Sequence, residues 1–312
     1  MDRPGPVTAA LARRVAAFAG EFELGDRVCV GLSGGADSLA LTAACLAAGL
    51  HTHAVVVDHQ LQGGSAAVAA SAAAVATEWG ASAEVIAVDV GAAGGLEAAA
   101  RRARRTALER VRGGRAVLLA HTLDDQAETV LLGLARGSGP RSIAGMSPWR
   151  DPWGRPLLDV RRTDTEAACA ELGVDPYRDP HNLDPRFTRV RLRREVLPLL
   201  EDVCQGGVAK SLARTATQLR QADAALDEIA ATLTVDSPAL GQWPTAVRTR
   251  VVRSWLAEAG ATDAGAATIE AVDALLCGRT PGAQVAIGGD ASSRVVAAVR
   301  DGRLRAVRTP RC

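Results

Sequence analysis

The chain has 312 residues, 48% hydrophobic and 23% charged, with a formal net charge of +1, so a folded protein is expected and a disordered or supercharged one is excluded. Of its 36 basic residues only Lys210 is a lysine, which excludes the P-loop NTPases, whose phosphate loop needs a lysine after its glycines. No long charge-free apolar run and no signal-type stretch occurs, so a cytosolic chain without a membrane segment is expected.

The first part alternates short apolar runs with amphipathic stretches, the pattern of βαβ units feeding a parallel sheet. Strands are expected at Arg27–Leu32, His53–Val57, Glu84–Val88 and Ala116–Ala120, with helices at Ser38–Ala48, Ser65–Trp79 and Leu96–Arg112 and another opening near Asp124. Right-handed crossovers then place a ligand at the carboxyl ends of the strands. Pro and Gly are dense from Gly137 to Pro156, which reads as a functional loop or lid. A helix at Thr163–Leu172 precedes a second Pro-punctuated stretch, Asp175–Pro185, and a basic run into Pro198–Leu200.

The first domain is expected to end near Cys204. Beyond Gly206–Gly207 helices are expected at Val208–Leu233, Thr245–Ala259 and Ala266–Cys277. The tail reads as short strands at Gln284–Gly288, Arg294–Val299 and Arg303–Val307, with a turn at Asp301–Gly302. The cysteines, Cys29, Cys45, Cys169, Cys204, Cys277 and Cys312, form no C-x-x-C pair, which removes the usual spacing for structural zinc, a redox dithiol or an iron–sulfur site. They read as buried small hydrophobes in a reducing compartment.

The strongest local signal is Ser33-Gly34-Gly35-Ala36-Asp37-Ser38 after a β-branched strand. Two glycines let an anion approach the backbone N–H groups, and the following helix adds its positive dipole end. Asp37 would be repelled by phosphate unless a divalent cation lay between them, so it implies Mg²⁺. The second signal is His121-Thr122-Leu123-Asp124-Asp125-Gln126-Ala127-Glu128-Thr129. Part of it is a capping box, Thr122 with Asp125 three residues on. A cap alone does not explain a His, two Asp and a Glu gathered where a strand ends.

The first stretch resembles the loop of the ATP pyrophosphatase superfamily, whose members adenylate a carbonyl-type oxygen and let a nucleophile displace AMP. The second, with Leu131–Leu132 and Arg136-Gly137-Ser138-Gly139, resembles the hallmark of the tRNA(Ile)-lysidine synthetases. Asp58-His59-Gln60-Leu61, the helix carrying Glu97, Ala100, Arg101 and Arg104, Arg155-Pro156-Leu157-Leu158, and Asp179 to Asp184 followed by Arg189, Arg191, Arg193 and Pro198 match that family in order and spacing. The chain departs from the family at Gln62, Arg105, Ala120 and Val190. Its length resembles the family's short form.

The resemblance implies an α/β fold: a parallel-sheet, adenine-nucleotide alpha hydrolase-like (PP-loop ATPase) domain at 1–204, and a smaller, mainly helical tRNA-binding domain at 205–312 ending in a β-hairpin. It implies ATP at Ser33, Gly34, Gly35, Ala36, Asp37, Ser38, Asp58, Arg104 and His121, and catalysis by Asp37, Arg101, Asp125 and Glu128. Asp37 would organise Mg²⁺, and Asp125 and Glu128 would hold free L-lysine. The tRNA, an isoleucine tRNA with a CAU anticodon, would meet Arg189, Arg191, Arg193 and Arg194, and a homodimer is compatible with the family. For Asp58, capping of local amides at the strand end is an equal alternative. His51, His53 and His59 lack a paired ligand motif and read as ordinary histidines. Arginines also cluster at 101–115 and 294–311; those of the tail read as further RNA contacts.

Overall fold

A helix outside the predicted set opens the fold. The computed structural model describes residues 4–61, 63–91, 95–137, 139–262, 264–290, 292–301 and 303–310. Helix α1 (Pro6–Glu21) starts on a proline and turns Leu11, Val15 and Phe18 inward. Its first N–H groups, those of Val7 and Thr8, donate to the Glu171 carboxylate at 2.9 Å, which satisfies donors that a helix start leaves open.

The alternation then follows as expected: β1 (Arg27–Leu32), α2 (Ala36–Ala47), β2 (His51–Asp58), α3 (Ser65–Glu78), β3 (Ser82–Ala87), α4 (Leu96–Val111), β4 (Ala116–Leu118) and α5 (Leu123–Ala135). The Pro- and Gly-rich loop contains α6 (Pro140–Ile143) and two short strands, β5 (Trp149–Arg150) and β6 (Trp153–Gly154). It is fastened to α5: the Gln126 amide donates to Met146 O at 2.9 Å and accepts from Met146 N–H at 2.7 Å. Next come α7 (Arg162–Glu171), α8 (Thr188–Arg191) and α9 (Leu197–Val203), the last two joined by a π-helical stretch at Leu192–Val196.

The sheet runs β3-β2-β1-β4-β6-β5, parallel except for β5. Over the central strands β1, β2 and β4 both faces are covered, which is why these read as apolar runs, whereas the edge strand β3 is largely exposed. Val28, Val30 and Leu118 pack with Leu11, Val15 and Leu41 on one face. Cys29, Val55, Ile86 and Val117 pack with Ala107 and Leu108 of α4 on the other. In the register Leu32 lies opposite Val56, and Asp58 opposite Ala87, so the ends of β1 and β2 open on the same edge as the end of β4.

The contacts divide the chain into two units, 1–219 and 220–312. The division falls within α10 (Val208–Ala231); Ala209, Leu212 and Ala213 pack with Leu123, Ala127 and Leu197 of the first unit. The second unit adds α11 (Thr245–Glu258), α12 (Ala266–Leu276), β7 (Gln284–Gly289), β8 (Ser293–Arg300) and β9 (Arg303–Pro310). Its strands form an antiparallel sheet, β7-β8-β9, in which Arg300 pairs with Arg303 across the predicted turn; Gly302 of that turn lies outside the described residues. Val252, Leu256, Ile269, Val272 and Ile287 form its core. Among the described residues no helix is long and apolar enough to cross a membrane.

The expectation for the cysteines is corrected in part. Cys29, Cys45 and Cys169 are buried, but Cys204 is exposed and Cys277 half-buried. Cys204 follows α9 in a polar turn where no partner element covers it; Cys312 lies outside the described residues.

Candidate active site

The loop between β1 and α2 is held open by its own hydroxyls. Ser33 N–H donates to Ser38 Oγ at 3.1 Å, and Ser38 Oγ donates to Gly35 O at 2.9 Å. Gly34 has φ +80°, which favours glycine, and a Cβ there would crowd Ala72 Cβ at 3.3 Å. Its carbonyl accepts from Tyr177 N–H at 2.9 Å, which ties the 175–179 segment to the loop. Beside it lies a cavity of about 390 Å³ whose wall includes Ser33, Asp37, Ser38, Asp58, Arg104 and His121. Asp58 is buried and accepts from Gln60 N–H at 2.9 Å, so it caps local backbone while lining the cavity.

Asp37 stands in the first turn of α2. It accepts from the hydroxyl of Thr165, which is fully buried, and from Arg162 Nε at 3.3 Å. Burial pushes the Asp37 carboxyl up from the ordinary range, against the pull of Arg162.

The predicted capping box is present at α5, and it shares its carboxylate with the site. Asp125 Oδ2 accepts from Thr122 N–H at 2.8 Å and from Thr122 Oγ1 at 3.0 Å. The other oxygen, Oδ1, faces Arg162 Nη2 at 2.7 Å and Arg193 Nη2 at 3.3 Å. Burial opposes ionisation of Asp125, yet Arg162 and the Thr122 N–H hold its carboxyl below the ordinary range. Glu128, one turn on, is wholly buried; Arg193 Nε lies 2.6 Å from its Oε1, and Arg162 Nη1 3.9 Å away. Burial pushes Glu128 up, and Arg193 opposes that. Two neighbouring carboxyls are thus driven in opposite directions, a common arrangement for separate acid–base roles.

Arg162, which motif reading missed, contacts all three carboxylates of the site. It follows directly on Arg161 at the start of α7, and nothing local marks it. The Asp124 carboxylate accepts from Arg162 N–H at 2.8 Å and pairs with Arg161 at 3.0 Å, locking the start of α7 to the start of α5. Arg193 lies in the expected place but turns inward, to Glu128 and Asp125. Arg191 is exposed and pairs with Glu195 at 2.9 Å, while Arg194 is exposed and Arg189 is half-buried.

Several arginines of α4 and of the Pro- and Gly-rich loop lie near the cavity, but among them only Arg104 lines it; Arg101 is exposed on the same helix. Arg105, one of the departures, sets its guanidinium 4.8 Å over the Trp153 ring, a cation–π contact. Burial and the charges of Arg101, Arg105 and Arg150 bring Arg155 down to about 10, and its Nε, like Nδ1 of His59 and His121, is buried without a partner. Arg104 in the cavity wall, with the unused buried nitrogens of His59 and His121 beside it, suits an anionic, hydrogen-bonding ligand. Ala120 lines the cavity and Val190 is buried on α8. Gln62 and Ser138 lie outside the described residues, as does the Glu97 side chain. His53 pairs with Ser82 at 2.9 Å and Glu84 at 3.4 Å, and among the described residues no group of His, Cys, Asp and Glu is placed to hold a metal ion by itself.

Residues 7–200 match the family model of the PP-loop domain, and residues 236–305 match that of the TilS substrate binding domain. The chain is 57% identical over 305 residues to the tRNA(Ile)-lysidine synthase of Rhodococcus jostii (strain RHA1), covering 95% of this chain and 93% of that one. It is 55% identical over 300 residues to that of Mycobacterium tuberculosis (strain ATCC 25618 / H37Rv), covering 91% and 92%. Among solved structures it is similar to the U34-tRNA thiolase NcsA from Methanococcus maripaludis, with TM-score 0.55 and 19% identity over 68% of this chain and 78% of that one, a likeness of fold. With both family models matched in order and identity above half along nearly the whole length, the chain belongs to the tRNA(Ile)-lysidine synthase family.

Proposed function

We propose that this chain uses ATP to join free L-lysine to C2 of the wobble cytidine in an isoleucine tRNA with a CAU anticodon, releasing AMP and pyrophosphate. The product, lysidine, moves codon reading from AUG to AUA and the tRNA's identity from methionine to isoleucine. One observation carries the reading. The phosphate-loop carboxylate of Asp37 and the acidic pair Asp125 and Glu128 converge on one guanidinium, so a nucleotide seat and an amine seat adjoin.

ATP adenylates O2 of the cytidine, and the lysine side-chain amine then attacks C2 and displaces AMP. Gly34, Gly35 and Ala36 offer backbone N–H groups and Ser33 and Ser38 their hydroxyls to the phosphates, and the nucleoside takes the cavity beside that loop, which Asp58, Arg104 and His121 line. Arg101 supplies positive charge toward the leaving group. Mg²⁺ needs few protein ligands when phosphates and water complete its shell; a lone Asp37 at the phosphate loop fits that donor set and would hold an ion that neutralises phosphate charge.

The incoming amine has an ordinary pKa of ~10.4, so presenting it neutral at pH 7 costs about 5 kcal/mol. Asp125, held ionised, suits the task of seating the ammonium. Glu128, raised by burial, suits the task of accepting the proton that the amine loses on attack. Arg189, Arg191 and Arg194 reach the tRNA backbone, and the basic strands of the second unit make RNA contacts of their own, whereas Arg193 serves the carboxylates. The reading places the chain in the cytoplasm and is compatible with a homodimer, which light scattering decides.

Purified protein with ATP, labelled lysine and tRNA transcripts carrying each anticodon tests the proposal. Label is expected only in the CAU isoleucine transcript. Label in none, or in the methionine transcript equally, contradicts it.

A further inference from the structure

We propose that Arg162 is a positioning residue of this site: its single guanidinium fixes the separation between the phosphate-loop carboxylate of Asp37 and the amine-seat carboxylates of Asp125 and Glu128, so that amine and activated cytidine meet in register. The inference deepens the functional reading above and rests on it.

Each nitrogen of the guanidinium faces a different carboxylate. Nε lies 3.3 Å from Asp37 Oδ2, Nη2 2.7 Å from Asp125 Oδ1 and Nη1 3.9 Å from Glu128 Oε1. The three carboxylates come from two helices, α2 and α5, that follow different strands, while the arginine comes from a third, α7. A planar fork with fixed N–H directions can register groups in this way; a lysine ammonium, a point charge on a flexible stem, cannot. The fork is itself immobilised. Asp124 holds its backbone N–H at 2.8 Å, and its side chain is 20% exposed. One turn along α7, the Thr165 hydroxyl takes the other oxygen of Asp37, so a single helix start grips the Asp37 carboxylate by both oxygens.

Arg193 does not duplicate this. It forks onto Glu128 and reaches Asp125, so it pairs the acidic couple without spanning to the phosphate loop. Buried ion pairs contribute little net stability against apolar packing and are best attested where they fix one arrangement among several. In this site the arrangement is the distance between two substrate seats, and small displacements of positioned reactants are expensive in rate.

The test is steady-state kinetics of lysine transfer to the CAU transcript by R162K and R162Q, with wild type in parallel and thermal melting of all three. R162K keeps the charge and is expected to melt close to wild type, yet to lose about 100-fold in kcat because the fork is gone. KM for lysine is expected to rise about tenfold in R162Q while KM for ATP changes by less than about threefold, because the phosphate loop keeps its own contacts. Recovery of kcat to within about twofold of wild type in R162K would mean that charge neutralisation suffices, and it overturns the inference. Collapse of melting in both variants overturns it too, since the arginine would then serve the fold. A wild-type chain that transfers no lysine overturns the functional reading itself, an outcome distinct from an active wild type with an active R162K.

Discussion

Arg193 lays its guanidinium against the carboxylate of Glu128, with Nε 2.6 Å from Oε1 and Nη2 3.2 Å from Oε2. Its neighbours in sequence, Arg191 and Arg194, are exposed, so one basic run divides its work between an outward surface and an inward ion pair. The π-helical stretch at Leu192–Val196 shifts the side-chain phase within the run, and such insertions recur at functional sites.

Removing the arginine leaves a wholly buried carboxylate with only the more distant Arg162 guanidinium, 3.9 Å away. R193A is therefore expected to lower stability by about 2 kcal/mol, below the ~3–5 kcal/mol of a broken fully buried pair because Arg193 is itself partly exposed. R191A, at an exposed pair, is expected to leave stability close to that of wild type. Urea unfolding of both variants measures the contrast; equal losses would contradict it.

Thr122 supports both the helix start and the site, because the Asp125 oxygen it binds belongs to the carboxylate that faces Arg162. T122A removes the cap and is expected to cost about 1 kcal/mol, with KM for lysine raised as Asp125 loses its anchor. T122S keeps the hydroxyl and is expected to match wild type in both. A T122A that loses stability but keeps the wild-type KM would separate cap from site.

Much of this was legible in the sequence because it is local. The strand-to-helix glycine pair, the Thr122–Asp125 box and the apolar runs at Arg27–Leu32 and Ala116–Leu118 carry their structure in neighbouring residues. Arg162 was not legible: it acts on Asp37 and Asp125, more than thirty residues away in the chain, and an arginine beside another arginine at a helix start has the pattern of an ordinary charged surface. The inward turn of Arg193 was hidden for the same reason. Helix α1 escaped because its Ala-rich sequence spaces its few large residues, Leu11, Val15 and Phe18, sparsely. The strands at Trp149 and Trp153 are two residues long and depend on pairing, not on pattern.

His121 makes stability depend on pH. Burial, with Arg155, Arg104 and Arg101 nearby, lowers its pKa to about 4, against about 6.5 unfolded. The unfolded chain therefore takes up this proton first as pH falls. The stabilisation is complete above about pH 6.5 and is lost progressively toward pH 4, to a total of at most about 3 kcal/mol. Denaturant unfolding from pH 7.5 to 4.5 is expected to show a shallower loss in H121Q than in wild type. Parallel curves would contradict the assignment.

The thiols divide by burial. Cys29 is pushed up to about 12 and Cys169 to about 11 by burial, and Cys45 is raised as well, so these three present almost no thiolate to a reagent. Alkylation of the native protein at pH 8 followed by peptide mapping is expected to label Cys204 rapidly and Cys29, Cys45 and Cys169 only after denaturant is added. Fast native labelling of Cys45 would show that the core under α2 opens.

The central claim is that one site activates a cytidine with ATP and closes a C–N bond to lysine. Nucleoside mass spectrometry of the CAU isoleucine transcript after reaction, with AMP counted in the same samples, tests it most directly. The account predicts that the wobble cytidine alone gains lysine with loss of water, one AMP appears per lysine joined, and both vanish in E128Q. An unmodified or sulfur-bearing nucleoside, or AMP released with lysine absent from the product, would contradict it.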